Sequence, residues 1–217
     1  NVNYPSSATF RNCIFTIFDS GSLQGVDLQD VAIHVNSGGA IFDNCEFTNI
    51  TVDYSLEDNW SNYGGAVRIG NGQANTMSAD YGQVYFNQSK LTNITVQRID
   101  DPMNNNDDSG WLHGAAINIG PSIYNKVWLI NTIVADNLIS YTYDTNNSYF
   151  PKGAGIHMNG GELQLINSTV VNNQTSTAAS TTDGSGGSSG GSAIWVEDYD
   201  GNDGEAPHLT IFNSIIH

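Results

Sequence analysis

The residues best suited to bind a cation form an acidic run, "EDYDGNDGE", from Glu197 to Glu205. Oxygen-bearing side chains alternate along it as they do in a calcium-binding loop. The expected ligands are Asp198, Asp200, Asn202 and Asp203. The glycine comes one residue later than in the EF-hand pattern, and no glutamate occupies its twelfth position. The sequence therefore predicts weak calcium binding, with a solvated acidic loop as the alternative.

The two cysteines, Cys13 and Cys45, are the candidates for nucleophilic or redox chemistry. They follow asparagine in two related stretches, "FRNCIF" and "FDNCEF", and Ser or Thr takes the same place in further copies. A nucleophile needs a nearby base, and no histidine falls at this or the adjacent repeat positions. Two cysteines without zinc-ligand spacing do not make a zinc site or a disulfide scaffold. We expect stacked neighbours, either as two free thiols or as a disulfide.

Composition excludes several classes of partner. Lys and Arg number 6 against 22 Asp and Glu, which gives a formal net charge of −16. Nucleic acids and anionic membrane surfaces need basic footprints, so neither is an expected partner. The sequence has no apolar run long enough for a membrane-spanning helix, so we expect no direct membrane insertion. The acidic surface fits an extracellular or cell-surface location.

A six-residue pattern recurs along the chain: apolar, any, Asn, small, any, apolar. Its copies are Phe10–Phe15, Phe42–Phe47, Phe86–Leu91 (with Gln88 for Asn), Leu129–Val134, Leu165–Val170 and Ile211–Ile216. A second pattern alternates with it, as in "GGAVRI" and "GAAINI". Apolar residues at every second position indicate strands, and Gly and Asn mark the turns.

These repeats predict an all-β, right-handed, single-stranded parallel β-helix of about six coils with long irregular loops. One coil cannot bury its own apolar face, so a core forms only when coils stack. We expect one domain over residues 1–217, as a segment of a longer protein, with a flexible Gly/Ser/Thr loop at 175–192. The residues expected inward in one sheet are Ala40, Val84, Val127, Leu163 and Leu209, with Phe42, Phe86, Leu129, Leu165 and Ile211.

The repeats resemble those of chlamydial-type polymorphic outer-membrane proteins, whose signatures are GGAI and FxxN. "GGAI" stands at Gly38–Ile41 and "GGAV" at Gly64–Val67. The FxxN element is represented by "VADN" at Val134–Asn137 and "VVNN" at Val170–Asn173. The resemblance implies a parallel β-helix at the cell surface, and says less about activity.

Strand alternation predicts two outward-facing groups of interest. The first is a stripe that could bind sugar hydroxyls, with a tryptophan as stacking platform, or be an ordinary solvated face. It contains His34, Arg68, Asn118, His157 and Trp195. The second is an apolar patch covered by another domain or subunit, or by the chain's own segment 138–152. It contains Trp128, Ile130, Ile133, Ile166, Phe212 and Ile215.

The sequence favours a non-enzymatic stalk, adhesin or assembly unit whose partners are other segments or subunits of a surface assembly. The alternative is a carbohydrate-binding or polysaccharide-cleaving β-helix. Cleavage would need paired carboxylates, or a base beside calcium-binding carboxylates, on the strands. Here the acids cluster in loops, so no catalytic residue is assigned, enzyme activity is left undecided, and calcium is the one cofactor considered.

Overall fold

Alternating apolar residues form strands throughout the described part of the chain. The structure, a computed structural model, describes residues 7–16, 32–36, 38–53, 64–70, 82–99, 112–143, 151–179, 191–197 and 206–217. Within these ranges there are strands, turns and bends but no helix, which confirms the all-β prediction.

The strands are short and follow one another at turns. In chain order they are β1 (Ser7–Arg11), β2 (Ile14–Phe15), β3 (Ile33–Val35), β4 (Gly38–Asp43), β5 (Glu46–Asp53), β6 (Val67–Ile69), β7 (Gly82–Asn87), β8 (Lys90–Ile99), β9 (Ile117–Ile119), β10 (Lys126–Ile130), β11 (Ile133–Ala135), β12 (Leu138–Tyr143), β13 (Ile156–Met158), β14 (Glu162–Ile166), β15 (Thr169–Val171), β16 (Gln174–Ala179), β17 (Ile194–Val196), β18 (His208–Phe212) and β19 (Ile215–Ile216).

These strands form three sheets in which all the pairings between described strands are parallel. The first sheet has the order β1-β4-β7-β10-β14-β18, and the third has the order β17-β13-β9-β6-β3. In the second sheet β2 pairs with β5, β5 with β8, and β8 with both β11 and β12. Strand β11 then pairs with β15, β12 pairs with β16, and β15 pairs with β19. Parallel sheets stacked in register are consistent with a parallel β-helix.

The predicted inward positions do occupy matched places on neighbouring strands. Ala40 pairs with Val84, and Phe42 with Phe86, and the same columns continue through the later strands of the first sheet. Their members are buried up to β14, whereas Leu209 and Ile211 of β18 are 36% and 48% exposed. These two side chains are exposed because β18 pairs on one side only among the described strands.

The bend after each strand of the first sheet requires an unusual backbone conformation. Asn44, Asn131 and Asn167 have φ values of 52°, 50° and 51°, in the left-handed region that asparagine tolerates better than most residues. Gln88 adopts the same conformation, with φ 50°. The asparagine amides also stack, since Asn44 Nδ2 donates to Asn12 Oδ1 at 2.7 Å. Asn213 Nδ2 donates to Asn167 Oδ1 at the same distance, 2.7 Å.

The residue after the bend supplies a buried hydroxyl to the neighbouring strand. The backbone N–H of Cys45 donates to Ser89 Oγ at 3.1 Å, and that of Ser89 donates to Thr132 Oγ1 at 3.4 Å. The same bond links Thr132 to Ser168 at 3.2 Å and Ser168 to Ser214 at 3.0 Å. We call this series the hydroxyl column. It satisfies backbone donors at bends, where a buried unpaired N–H would be costly.

Cys45 stands in the hydroxyl column as a small polar residue. Its thiol lies 3.4 Å from the carbonyl oxygen of Phe10 and 3.5 Å from that of Asp43, which are the contacts a serine hydroxyl makes in this place. Cys13 and Cys45 are free thiols, so the disulfide alternative is not formed. Burial raises the pKa of the Cys45 thiol, which keeps it protonated and a poor nucleophile.

The first residues of the predicted Gly/Ser/Thr loop at 175–192 lie in a strand. Residues up to Ala179 belong to β16, which pairs in register with β12 from Leu138↔Gln174 to Tyr143↔Ala179. Threonine suits a strand, and the paired strand β12 supplies backbone partners for this segment. Residues 180–190 lie outside the described part of the chain.

Cys45→Ser should change the free energy of unfolding by less than about 1 kcal/mol, because serine fills the same place elsewhere in the hydroxyl column. Cys45→Leu should cost about 1–3 kcal/mol, because a larger side chain overpacks a site that is 2% exposed. Urea unfolding under reducing conditions measures both values. A serine variant less stable than the leucine variant would contradict a requirement for small volume.

Candidate functional site

The stripe that was predicted to bind sugar hydroxyls is one column of paired residues in the third sheet. His34 pairs with Arg68, Arg68 with Asn118, Asn118 with His157, and His157 with Trp195. The expectation that the whole stripe faces solvent is wrong at its centre. Arg68 and Asn118 are each 3% exposed and His157 is 1% exposed, which leaves exposed His34 and half-buried Trp195 as its accessible ends.

A glycine turn brings other residues over this column. Gly114 and Gly153 have φ values of +62° and +60°, and a Cβ on either would lie 2.3 Å from a backbone oxygen. Glycine is therefore required at both turns. The residues directly before these glycines, His113 and Lys152, form a parallel bridge with each other.

His157 lies at the centre of the resulting group. Its ring stacks on the ring of His113, with centroids 4.1 Å apart. Its Nδ1 is 3.1 Å from Asn118 Oδ1, and its Nε2 is 3.0 Å from Glu197 Oε1. Both ring nitrogens of a buried histidine thus face oxygen atoms.

Glu197 links the group together from the position just after β17. The Nζ of Lys152 lies 2.5 Å from Glu197 Oε2, and Trp195 Nε1 donates to the same oxygen at 3.1 Å. The Lys152 ammonium also lies 5.4 Å from the centroid of the Trp195 ring, within the range of a cation–π contact. We call His113, Asn118, Lys152, His157, Trp195 and Glu197 the polar cluster.

Burial and hydrogen bonding fix the charges of the polar cluster. Burial lowers the pKa of His113 well below its ordinary value, and the nearby His157 lowers it further. The pKa of His157 is also lowered by burial, against the opposing hydrogen bond to Glu197. Burial alone would raise the pKa of Glu197, but hydrogen bonds from His157, Lys152 and Trp195 outweigh it and hold that pKa far below its ordinary value. At neutral pH the cluster therefore holds two neutral imidazoles beside the Glu197 carboxylate.

Three members of the polar cluster have the donor atoms and spacing to hold a metal ion. His113, His157 and Glu197 each offer one nitrogen or oxygen atom, and these atoms lie within 4.8 Å of one another. Two imidazole nitrogens and one carboxylate oxygen are ligands typical of zinc.

The predicted stripe contains three of the six members of the polar cluster and omits His113, Lys152 and Glu197. Asn118, His157 and Trp195 were expected in the stripe, and Glu197 only as the first residue of the acidic run. His113 and Lys152 were not expected at all. A signal for them exists, since each directly precedes the glycine of the second repeat pattern.

The predicted calcium ligands Asp198, Asp200, Asn202 and Asp203 lie outside the described residues. The calcium site therefore stays a prediction.

The predicted apolar patch is assembled by strand pairing. Ile130, Ile166 and Phe212 are direct neighbours across β10, β14 and β18, and Ile215 follows the next bend. Phe212 is 65% exposed and Ile215 63% exposed. The remaining members are Trp128 and Ile133.

Two further members of the patch, and the segment predicted to cover it, have the following positions. Trp128 is half-buried and stacks on Tyr85 with ring centroids 4.1 Å apart. Ile133 is 39% exposed. The segment 138–152, considered as a cover, contributes β12 to the second sheet and Lys152 to the polar cluster, and residues 144–150 lie outside the described part. Cover of the patch by this segment therefore stays a prediction.

Comparison of the chain with protein-family models, with curated proteins and with solved structures finds no match. Within the described residues there is no helix of the length and apolar character needed to cross a membrane.

Glu197→Gln should lower the free energy of unfolding by about 1–3 kcal/mol, because charge-assisted hydrogen bonds in a mostly buried site are lost. Glu162→Gln is the matched control, since Glu162 pairs with Lys126 at 3.1 Å on the surface, with side chains 28% and 42% exposed. That change should cost less than about 1 kcal/mol. Chemical denaturation compares the two, and equal losses would show that the polar cluster adds nothing beyond a surface ion pair.

Proposed function

We propose that this chain is a structural, extracellular or cell-surface β-helix that acts as a stalk, adhesin or assembly unit. It winds as a right-handed solenoid of about six coils, and its partners are other segments or subunits of the same surface assembly. The exposed part of the apolar patch carries this proposal, because Ile133, Phe212 and Ile215 present apolar side chains that another protein could cover.

Strand register supports a role for the patch in assembly. Ile130, Ile166 and Phe212 repeat along one outward column at the spacing between paired strands. Solvent-facing positions on a sheet are normally polar, and a continuous apolar column is a feature of interaction surfaces. The column runs to β18, which pairs only with β14 among the described strands.

The resemblance to chlamydial-type outer-membrane protein repeats also supports a surface role. The last asparagines of the two FxxN-like elements, Asn137 and Asn173, are buried at bends of the second sheet. Asn137 Nδ2 donates to Asn173 Oδ1 at 2.8 Å and to the backbone oxygen of Leu91 at 3.1 Å. Because these signature residues hold the bends together by hydrogen bonds, they fit a repeat whose role is structural rather than catalytic.

The alternative function, carbohydrate binding or cleavage, has less support. Its proposed platform was the stripe, and Arg68, Asn118 and His157 at the centre of that stripe are buried. A sugar could reach the exposed His34 and the half-buried Trp195 at the two ends of the stripe. Structural assembly is therefore the function that the geometry favours.

Replacing Ile166 and Phe212 by serine should reduce self-association or change solubility, because it removes apolar area from the middle of the patch. Sedimentation velocity at increasing protein concentration measures the effect on mass, and precipitation with ammonium sulfate measures solubility. Circular dichroism checks that the variant keeps its strands.

Tyr124→Ser is the control for this experiment, because Tyr124 is 57% exposed but lies outside the patch. It should leave association and solubility unchanged. If the double variant also behaves as the unaltered protein in both measurements, the patch has no role in assembly.

A further inference from the structure

We propose that His113, His157 and Glu197 form a binding site for a divalent transition metal of the zinc class. The proposal concerns a structural metal that joins segments of three successive strands of the third sheet. His113 precedes β9, His157 lies in β13 and Glu197 follows β17. The inference is independent of the predicted calcium loop and of the role in assembly.

The spacing of the donor atoms fits a small coordination sphere. Tetrahedral ligands about 2.0–2.1 Å from zinc lie roughly 3.3 Å from one another. His157 Nε2 and Glu197 Oε1 are already 3.0 Å apart. The His113 donor atom lies within 4.8 Å of both, so the His113 side chain must move closer for all three ligands to reach one ion. A water molecule can complete the coordination.

The surroundings of His157 provide a second, independent argument. A neutral imidazole carries one N–H and can donate to one acceptor, yet Nδ1 faces Asn118 Oδ1 and Nε2 faces Glu197 Oε1. A metal ion on Nε2 resolves this conflict, because Nδ1–H then donates to Asn118 while the carboxylate shares the metal. Metal-bound histidines commonly have such an oxygen acceptor on their other nitrogen. Without metal, either the Asn118 amide turns so that its Nδ2 donates to Nδ1, or the imidazole is protonated and donates from both nitrogens.

The contacts of Glu197 Oε2 orient Oε1 toward the proposed metal. Oε2 takes the hydrogen bond from Trp195 and the contact with Lys152, which leaves Oε1 directed at His157. The Lys152 ammonium stabilises the metal-free carboxylate and repels an incoming cation. Lys152 should therefore weaken metal binding while it stabilises the metal-free protein.

The test uses the full chain without a histidine tag, and Zn²⁺ alone as the probe. Isothermal titration should show one zinc ion per chain, and zinc should raise the unfolding temperature. Co²⁺ in place of zinc should give the visible absorption bands of a low-coordinate site. His113→Phe keeps an aromatic ring for stacking but removes the ligand, and it should weaken zinc binding by more than about tenfold.

Lys152→Gln separates metal binding from a purely structural role. It should lower the unfolding temperature of the metal-free protein and yet tighten zinc binding by about tenfold, because a competing positive charge is removed. His208→Ala, at an exposed histidine outside the polar cluster, is the control and should leave zinc affinity unchanged.

Three results would overturn the proposal. One is the absence of zinc binding at millimolar concentration. Another is zinc affinity that falls in His208→Ala but not in His113→Phe, which would indicate adventitious surface binding. A third is a protein that binds Ca²⁺ but not Zn²⁺, which would direct attention to residues 198–205 instead.

Discussion

Parallel pairing in exact register is the constraint on which the rest of the structure depends. It places equivalent residues of successive repeats in columns, and each column must satisfy its own chemistry at the spacing between strands. The hydroxyl column is an example, because Cys45, Ser89, Thr132 and Ser168 are buried at bends where the sheet does not provide every backbone partner. Thr132 shows how one hydroxyl of the column both accepts and donates a hydrogen bond. Its hydroxyl accepts from the Ser89 N–H and lies 3.2 Å from the carbonyl oxygen of Phe86.

The same constraint explains the polar cluster. The third sheet is built from strands of three residues, so a side chain on one strand lies close to residues that flank the neighbouring strands. The glycine turns bring His113 onto His157. A carboxylate, an ammonium and two imidazoles then lie in one buried space, although their residues span 113–197. Buried charges need partners, and each charged member of the cluster has one.

Much of the fold could be predicted from the sequence because columns repeat. The alternation that placed Phe42 and Phe86 inward is periodic, and their rings stack with centroids 5.0 Å apart. The polar cluster could not be predicted in the same way, because the position before the glycine holds His113 in one repeat and Lys152 in the next, so its side-chain chemistry does not repeat although its backbone does. The turns that precede β9 and β13 have matching glycine conformations, with φ values of +62° and +60°, so only the side chains beside them differ. The acidic run lies between repeats, and its predicted ligands fall outside the described residues.

The most direct test of the central claim is the stability of Thr132→Val beside that of Thr92→Val. Both changes replace a hydroxyl by a methyl group of similar size, but Thr132 is 1% exposed in the hydroxyl column and Thr92 is a half-buried outward residue of β8. Thr132→Val should lower the free energy of unfolding by about 1–3 kcal/mol, because the Ser89 N–H loses its acceptor. Thr92→Val should stay within about 0.5 kcal/mol of the unaltered chain. Equal effects of the two changes would contradict the account.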